Sequence, residues 1–370
     1  MVETPGSGVG RFDVGLFDWV DADGEGGLGE GYRRRFELVE RVEELGFYAY
    51  QVAEHHGTPL SVAPSANVLL SALAQRTSTI RLCPLVYLLP MHDPLRLVEE
   101  ICMVDHLCDG RLEVGIGRGA SPYELEIFGV TVADSRAMFD EALEVIVQGL
   151  STGRVDYHGK FYSYDDVVVP VSPRQKPYPP MWYPTISPTS MPWIAEHGLN
   201  TVYGFGFLSP TLEDTAEQRR VFDSVRAEHA DSAERINGHV ATPKFGLMRQ
   251  IYVSDSDADA MEHGRRAFEY FYNSFGYLWA KHDNDRFPRN PSFDDYVANG
   301  LVLCGAPDSV RDTLVHTIEA TGADYFTGAF AFGDLPIKRV HRSLDLFHTE
   351  IRPALDNIAQ QHPHLNRRKP

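Results

Sequence analysis

The feature of this chain that most constrains its fold is the alternation of two kinds of apolar segment. Short apolar runs of strand length alternate with longer segments in which apolar residues recur at helical spacing. This alternation predicts a parallel sheet, because parallel strands need long crossover connections, which are usually helices. Eight strands mostly separated by helices favour a (β/α)8 TIM barrel, and an open doubly wound sheet is the alternative. The predicted strands are residues 12–17, 48–53, 79–88, 111–117, 180–185, 201–205, 245–253 and 323–330.

Two segments interrupt the alternation within what we predict to be a single barrel domain, residues 1–370. Residues 157–180 are rich in proline and predict an insertion hairpin followed by a loop. Residues 273–300 contain few periodic signals and many polar residues. Long segments of this kind are either disordered or functional, and we predict a mobile lid over the active site.

The charge balance limits the partners of the protein. Aspartate and glutamate total 52 and lysine and arginine total 34, which gives a net charge of −18. Such an acidic surface repels nucleic acids and anionic lipids. We therefore expect a small-molecule substrate or another protein as partner, and neither nucleic acid nor membrane.

The cysteines and the apolar runs predict a cytoplasmic protein without a bound metal. The four cysteines form no C-x-x-C pair and have no histidine at the spacing of a zinc site, so we predict buried thiols. Residues 1–10 lack the charged and then apolar pattern of a secretion signal. The longest apolar run, 83–91, is much shorter than the roughly 20 residues that a membrane helix needs.

An arginine lies between two glycines at the end of the fourth predicted strand. In TIM barrels the loops that follow the strands build the active site. Glycines such as Gly117 and Gly119 allow a ligand to approach the backbone closely. The planar guanidinium group of Arg118 between them can donate two parallel hydrogen bonds to a phosphate group. A surface arginine in a turn explains the pattern equally well.

Two serines follow the fifth predicted strand. Ser187 precedes Pro188, which is typical of the start of a helix, and Ser190 lies one turn later. Free backbone N–H groups at a helix start, together with two hydroxyl groups, can bind an anion. The alternative, which Ser187 taken alone favours, is that this serine only caps the helix.

The second predicted strand ends in Glu54-His55-His56. Adjacent residues at a strand end point to opposite sides, so only one of the two histidines can face a barrel mouth. Glu54 is suited to orienting an imidazole ring that takes part in catalysis. The alternatives are two structural histidines, or a metal site for which no third ligand has suitable spacing.

Several stretches together carry a family resemblance that none of them carries alone. The chain resembles the luciferase-like flavin monooxygenases, the family of the bacterial luciferase alpha chain, from about residue 12 to residue 355. The resemblance implies a (β/α)8 barrel. The matching stretches are GFYAYQVAEHHG at 46–57, LLPMHDPLR at 88–96, GRLEVGIGRGASPYELEIFGV at 110–130, WIAEHGLN at 193–200, and the glycine-containing turns at 305–307 and 322–323.

The resemblance also implies the cofactor and its binding residues. Reduced FMN is expected at the barrel mouth, where it reacts with O2 to give a peroxyflavin. The phosphate is expected to bind Arg118, with Gly119 beside it, and Ser187 and Ser190. Leu85 and Val86 fall where family members often have a non-prolyl cis peptide beneath the isoalloxazine ring.

For catalysis the resemblance points to the second strand. His55 matches the histidine that the family uses as an acid or base, and we predict His55 and Glu54 as the catalytic residues. Water must be excluded from the site, and four aromatic residues are predicted to wall it, together with the 273–300 lid. These aromatic residues, each of which on its own is more simply explained as part of the core, are Trp19, Tyr87, Tyr123 and Trp182.

Two departures from the family pattern limit the substrate. Gly117 lies where the luciferase alpha chain has a reactive cysteine, and Ile186 lies where it has a glutamate of the phosphate loop. Light emission and a long-chain aldehyde substrate are therefore not expected. The prediction is oxygenation of a small organic molecule such as an aldehyde, a ketone or a natural-product intermediate.

No G-x-G-x-x-G fingerprint follows a predicted strand, so a separate flavin reductase is expected to deliver the reduced flavin. The resemblance suggests a homodimer. The alternatives are a deazaflavin- or NAD(P)H-dependent oxidoreductase in the same barrel, and a non-catalytic flavin-binding partner subunit.

Overall fold

The computed structural model describes residues 11–21, 26–287 and 291–361. Twelve strands and thirteen α-helices follow one another along these ranges. The strands are β1 (Asp13–Asp18), β2 (Ala49–Val52), β3 (Arg81–Pro84), β4 (Tyr87–Leu88), β5 (Val114–Gly117), β6 (Arg154–His158), β7 (Ser163–Val168), β8 (Met181–Trp182), β9 (Thr201–Phe205), β10 (Phe245–Val253), β11 (Val302–Gly305) and β12 (Tyr325–Ala329). The helices are α1 (Leu28–Glu44), α2 (Ala66–Ala74), α3 (Pro94–Leu107), α4 (Pro122–Ile127), α5 (Val132–Thr152), α6 (Met191–Glu196), α7 (Leu212–Glu228), α8 (Asp257–Phe275), α9 (Tyr277–Lys281), α10 (Phe293–Ala298), α11 (Pro307–Thr321), α12 (Ile337–Leu346) and α13 (Arg352–Gln361).

The parallel strands form a curled sheet covered by helices, which confirms the predicted α/β class. The larger ladder has the order β11-β10-β12-β1-β2-β3, with β9 also paired to β10, and the smaller ladder has the order β4-β5-β8. These two ladders do not make one continuous closed ring. Isolated parallel bridges continue the pairing between neighbouring strands, at Leu82–Leu112, Trp182–Asn200 and Thr185–Tyr203.

All eight predicted strands contain strand residues, and β9 and β10 have the predicted bounds. The third predicted strand is divided into β3 and β4, which are separated by Leu85 and Val86, and the peptide bond between these two residues is cis. The sequence prediction missed β11. This strand has four residues and pairs with the second half of β10, whereas β9 pairs with the first half.

The two interrupting segments differ in outcome. The predicted insertion hairpin is confirmed, because β6 and β7 form an antiparallel pair apart from the main sheet. The segment 273–300, where a loop was expected, contains the end of α8 and the short helices α9 and α10, and its residues 288–290 lie outside the described residues. These helices have five and six residues, which is too short for helical periodicity to be recognised.

Large side chains fill the concave side of the sheet near the amino ends of the strands. Gly15 in β1 lies on this side, because a Cβ atom there would collide with the hydroxyl group of Tyr325. The Tyr325 ring in turn lies 5.1 Å from the ring of Trp182, which belongs to the smaller ladder. The concave side near the amino ends of the strands is therefore a packed core, and ligand sites are expected at the carboxyl ends of the strands.

Candidate active site

The end of β2 presents charged residues to two sides of the sheet. Gln51 pairs with Phe17, two residues after Gly15, and therefore faces the concave side. Alternation along an extended chain then places His55 on the concave side and Glu54 on the side of the surrounding helices. The contacts of the two residues agree with this assignment.

His55 is held by a carboxylate from α4. Its Nδ1 lies 3.1 Å from Oε1 of Glu124, and the backbone N–H of His56 donates to the same oxygen at 2.8 Å. Glu124 is buried, which acts to raise its pKa, but the charge and hydrogen bond of His55 and the N–H of His56 lower it below the ordinary value. We call His55 and Glu124 the mouth cluster.

Glu54 belongs to a second cluster, in which it contacts the imidazole rings of His56 and His92 and not that of His55. Its Oε1 accepts hydrogen bonds from Nε2 of His56 and of His92, both at 2.9 Å, and its Oε2 accepts from the backbone N–H of Leu88 at 3.2 Å. Burial acts to raise the pKa of Glu54, but the hydrogen bonds from the two histidines bring it to about 2. We call Glu54, His56 and His92 the helix-side cluster.

The helix-side cluster borders a pocket of about 330 Å³. Glu54, His56 and His92 line it together with Asn67 of α2 and Phe128, which follows α4. Because Glu54 faces the helices, this pocket lies on the other side of β2 from His55. It is therefore distinct from the mouth, where the phosphate-binding residues were predicted.

Arg118 directly follows β5, and its side chain is exposed. A Cβ atom at Gly117 would lie 2.5 Å from Cγ2 of Val86, so the absence of a side chain there lets β5 approach the Leu85–Val86 peptide closely. Gly119 has a φ of +93°, in the left-handed region that favours glycine. Arg118 therefore lies in a turn between one glycine that packs closely on Val86 and a second glycine with a left-handed backbone.

Ser187 and Ser190 follow the neighbouring strand β8. The register pairs Gly115 of β5 with Trp182 of β8, so the segments that carry Arg118 and the two serines leave adjacent strand ends. Burial raises the pKa of Tyr183, and the positive charges of Arg136 and Arg118 oppose this rise.

The serines do not form the helix cap that was weighed as an alternative. The Ser187 hydroxyl is hydrogen-bonded to Oγ1 of Thr189 at 2.8 Å and caps no backbone N–H. The residues 188–190 form a single 3-10 turn before α6. The backbone N–H of Ser187 donates to Oγ1 of Thr185 and its carbonyl accepts the N–H of Ser190, so the predicted anion contact of these serines would be made by their hydroxyl groups.

The donor set at the mouth suits a phosphate group. Within the part of the chain that the structure describes, the Arg118 guanidinium has no hydrogen bond or ion pair to another residue, and neither has the Ser190 hydroxyl. A guanidinium and a hydroxyl group without protein partners can donate hydrogen bonds to a phosphate group.

Two glutamines on the concave side add unused hydrogen-bonding capacity. The carboxamides of Gln51 and Gln250 are buried and have no hydrogen-bond partner among the residues described. Gln250 in β10 pairs with Ala329, in register with the concave face of β12. Buried carboxamides normally bind a protein group, ordered water or a ligand, so this side of the sheet suits a polar ligand such as a flavin or a polar substrate.

The four aromatic residues predicted to wall the site have different positions. Trp182 is fully buried and its Nε1 donates to Glu113, and Trp19 packs against Phe17 and Phe271, so both belong to the core. Tyr87 is buried and donates to Oδ1 of Asn67 on the helix side. Tyr123 alone of the four is half-buried, next to Glu124 in α4.

Glu124 is the residue of the mouth cluster that the sequence prediction missed. Ser121 and Glu124 have the spacing of a helix-capping pair, and the Ser121 hydroxyl accepts the backbone N–H of Glu124 at 3.3 Å. The sequence signal at this position therefore indicated only a helix start. His92, which follows β4, likewise had no signal that connected it with Glu54.

The described ranges hold neither a candidate membrane-spanning helix nor a candidate metal cluster. None of the helices there has the length and apolar character to cross a bilayer. No group of three or more histidine, cysteine, aspartate or glutamate side chains in these ranges is arranged to hold a metal ion.

Comparison with known proteins gives a family match across most of the chain. The sequence profile of the family described as luciferase-like monooxygenase matches residues 12–325. The uncharacterized protein y4wF of Sinorhizobium fredii is 37% identical over 328 residues, which cover 88% of this chain and 92% of that protein.

Two proteins with named activities are also similar. The oxygenase component of the flavin-dependent trigonelline monooxygenase of Acinetobacter baylyi is 26% identical, covering 87% of this chain and 89% of that protein. The oxygenating constituent of the 3,6-diketocamphane monooxygenase of Pseudomonas putida, solved in complex with FMN, has the same fold. Its TM-score is 0.74 at 20% identity, over 93% of this chain and 98% of that chain.

Proposed function

Because the chain belongs to the luciferase-like monooxygenase family, we propose that it is the oxygenase component of a two-component, FMN-dependent monooxygenase. Such an enzyme uses reduced flavin and O2 to place one oxygen atom in a small organic substrate. The name of the Acinetobacter baylyi relative, an oxygenase component, supports a separate reductase as the source of reduced flavin. A homodimer remains part of the proposal.

We further propose that the two ladders make up one (β/α)8 barrel. The isolated bridges from β3 to residue 112 and from β8 to β9 join the ladders at both places where they would otherwise be separate. In this arrangement the carboxyl ends of β2, β4, β5 and β8 surround one mouth.

The observation that carries the proposal is the position of His55. Its Nδ1 is engaged by Glu124, and strand alternation gives it the concave side, while Arg118 directly follows β5, whose Gly117 packs closely on Val86. An imidazole held at Nδ1 keeps Nε2 available to exchange a proton with a bound molecule.

The proposed cofactor contacts follow from the same geometry. Arg118, Ser187 and Ser190 would hold the phosphate of FMN, with Gly119 providing the turn. Leu85 and Val86 would lie beneath the ring. The reduced flavin, when bound, supplies the electrons that activate oxygen. The protein binds and orients both molecules, keeps water out, and moves a proton at His55 Nε2.

A binding experiment tests the phosphate site without any knowledge of the substrate. Removal of a charged hydrogen bond costs about 1.5–3 kcal/mol, so Arg118→Ala should weaken FMN binding roughly tenfold to a hundredfold. Riboflavin, which lacks the phosphate, should bind the variant and the parent equally. Arg220→Ala is the control, since Arg220 lies on α7, is exposed and is already paired with Glu217. Equal affinity of the parent for FMN and riboflavin would contradict the site.

The reaction class is tested with isotopic oxygen. The protein is supplied with reduced FMN and ¹⁸O2 together with a panel of aldehydes, ketones and terpenoids, and products are analysed by mass spectrometry. A product that carries one ¹⁸O atom supports the proposal. Substrate oxidation without O2 by a deazaflavin or by NAD(P)+ would favour the alternative oxidoreductase, and flavin binding without any turnover would favour the non-catalytic subunit.

A further inference from the structure

α4 contacts two different parts of the molecule through consecutive residues. The helix has only six residues, and the Ser121 hydroxyl fixes its first turn by accepting the Glu124 backbone N–H at 3.3 Å. Glu124 points inward to the mouth cluster, where Nδ1 of His55 lies 3.1 Å from it. Tyr123 points toward the segment 274–287, which lies within the predicted lid.

Tyr123 makes three contacts with this segment. Its ring stacks on the imidazole of His282, with centroids 4.2 Å apart and planes at 8°. The edge of the ring of Trp279 lies across it at a centroid distance of 5.8 Å. The Tyr123 hydroxyl accepts a hydrogen bond from Nδ2 of Asn284 at 3.1 Å.

The same segment also contacts the loop that carries His55. The Thr58 hydroxyl donates to the backbone oxygen of Ser274 at 3.1 Å, and Thr58 lies three residues after His55. The segment therefore touches both stretches of chain whose side chains meet in the mouth cluster.

The segment is packed as one aromatic unit. The rings of Phe275 and Trp279 are parallel within 3°, and Phe287 meets both edge-on, at centroid distances of 5.1 Å and 5.0 Å. Phe207, which follows β9, packs on Phe275 at 5.3 Å. Because its rings are interlocked, a displacement at one end of the segment is expected to reach Tyr123.

We propose that Tyr123 is a positioning residue, which docks the 274–287 segment on α4 and thereby holds Glu124 in hydrogen-bond contact with His55. Consecutive Cα atoms lie about 3.8 Å apart, so a shift of Tyr123 cannot leave Glu124 in place within a six-residue helix. Displacement of a catalytic group by about 1 Å can lower the rate by a factor on the order of a hundred. The inference rests on the proposed catalytic role of His55.

The first experiment reads the contact directly and needs no substrate. Amide hydrogen exchange is measured at His56, whose N–H donates to Glu124 at 2.8 Å. Tyr123→Ala should accelerate exchange at His56, because Glu124 no longer stays within reach. Tyr277→Ala is the matched control. Tyr277 is the same residue type in the same segment, is 41% exposed, and stacks on no aromatic ring of the described residues.

The second experiment separates positioning from general damage. With the substrate found by oxygen-isotope screening, Tyr123→Ala should lower kcat about tenfold, a part of the contribution of a general base, and leave FMN affinity unchanged. Tyr123→Phe, which keeps the ring stack and loses only the hydroxyl, should restore most of kcat.

A variant on the opposite side of the contact guards against misfolding. His282 and Asn284 are exposed, so His282→Ala combined with Asn284→Ala should leave α4 and the core intact and still accelerate exchange at His56. Unchanged exchange in both Tyr123→Ala and this double variant, or equal acceleration in Tyr277→Ala, would overturn the inference. A failure of His55→Ala to slow turnover, with exchange altered as expected, would instead overturn the proposed function.

Discussion

The mouth cluster and the helix-side cluster are built from neighbouring residues of the same types, yet they leave different atoms free. In the mouth cluster Glu124 engages Nδ1 of His55, and Nε2 stays available. In the helix-side cluster Glu54 engages Nε2 of both His56 and His92, and it also accepts the N–H of Leu88. The first arrangement can exchange a proton with a ligand, whereas the second ties β2, β4 and the start of α3 together.

The difference teaches that a histidine beside a carboxylate is not by itself a catalytic pair. The number of partners of the carboxylate and the ring nitrogen that it engages decide between chemistry and structure. Matched substitutions in the two clusters should therefore affect different quantities: kcat for the mouth cluster and stability for the helix-side cluster.

The largest effect is expected at the two adjacent histidines. His55→Ala should lower kcat by about a hundredfold or more, since it removes a general acid or base, and should leave FMN affinity nearly unchanged. His56→Ala should keep most of the activity and lower the melting temperature. Steady-state kinetics and thermal unfolding of both variants check this, and equal losses of kcat would remove the distinction between the clusters.

The next effect concerns the two carboxylates. Glu54→Gln leaves two histidine hydrogen bonds without their anion in a buried place and should lower the free energy of unfolding by about 2–3 kcal/mol. Glu124→Gln keeps an acceptor for His55 and loses the charge, so it should lower kcat about tenfold with a smaller loss of stability. Urea unfolding and steady-state kinetics on the same preparations measure the loss of stability and of kcat in both variants. A stability loss in Glu124→Gln that exceeds that in Glu54→Gln would reverse the assignment.

The stability of the protein at acid pH tests whether the Glu54 carboxylate is ionised in the folded state. Its folded pKa is about 2, below the ordinary value of 4.5, so its contribution to stability is present above 4.5 and is lost as the pH falls toward the folded pKa. The advantage of the parent over Glu54→Gln should therefore shrink by about 2 kcal/mol between about pH 5 and pH 3. Urea unfolding at both pH values measures it, and a constant difference would mean that Glu54 is not held as a buried anion.

The smallest effect is expected at the edge of the helix-side cluster. Phe128 meets the His56 ring edge-on with centroids 4.7 Å apart, but the phenylalanine is 44% exposed. Phe128→Ala should therefore cost only about 0.5 kcal/mol of unfolding free energy and leave kcat unchanged. A marked loss of activity would show that the helix-side cluster and its pocket take part in the reaction.

Much of the fold could be predicted because its signals are local. β9 and β10 are bounded by turn residues and have the predicted limits. β11 was missed because a four-residue strand has no period of its own and is recognised only by its pairing with β10. The short helices α9 and α10 were missed for the same reason, and they replace the loop that was expected there.

Some features of the candidate site could likewise be predicted from the sequence, and others could not. The position of the cis peptide at Leu85–Val86 agrees with what the family resemblance implied. The opposite orientation of neighbouring residues at the end of β2 followed from strand alternation alone. The carboxylate that contacts each histidine could not be predicted, because alternation gives the side on which a residue lies and not the partner that it meets there.

The sequence by itself determined the alternating α/β architecture, the family, and which residues stand at the strand ends, since these depend on periodicity and on short contiguous motifs. Only the tertiary structure decided that Glu124, 69 residues from His55, is its partner, and that Tyr123 joins α4 to the 274–287 segment. The physical reason is that a hydrogen bond between distant residues depends on how helices pack at the strand ends, and no local pattern in the chain encodes that packing.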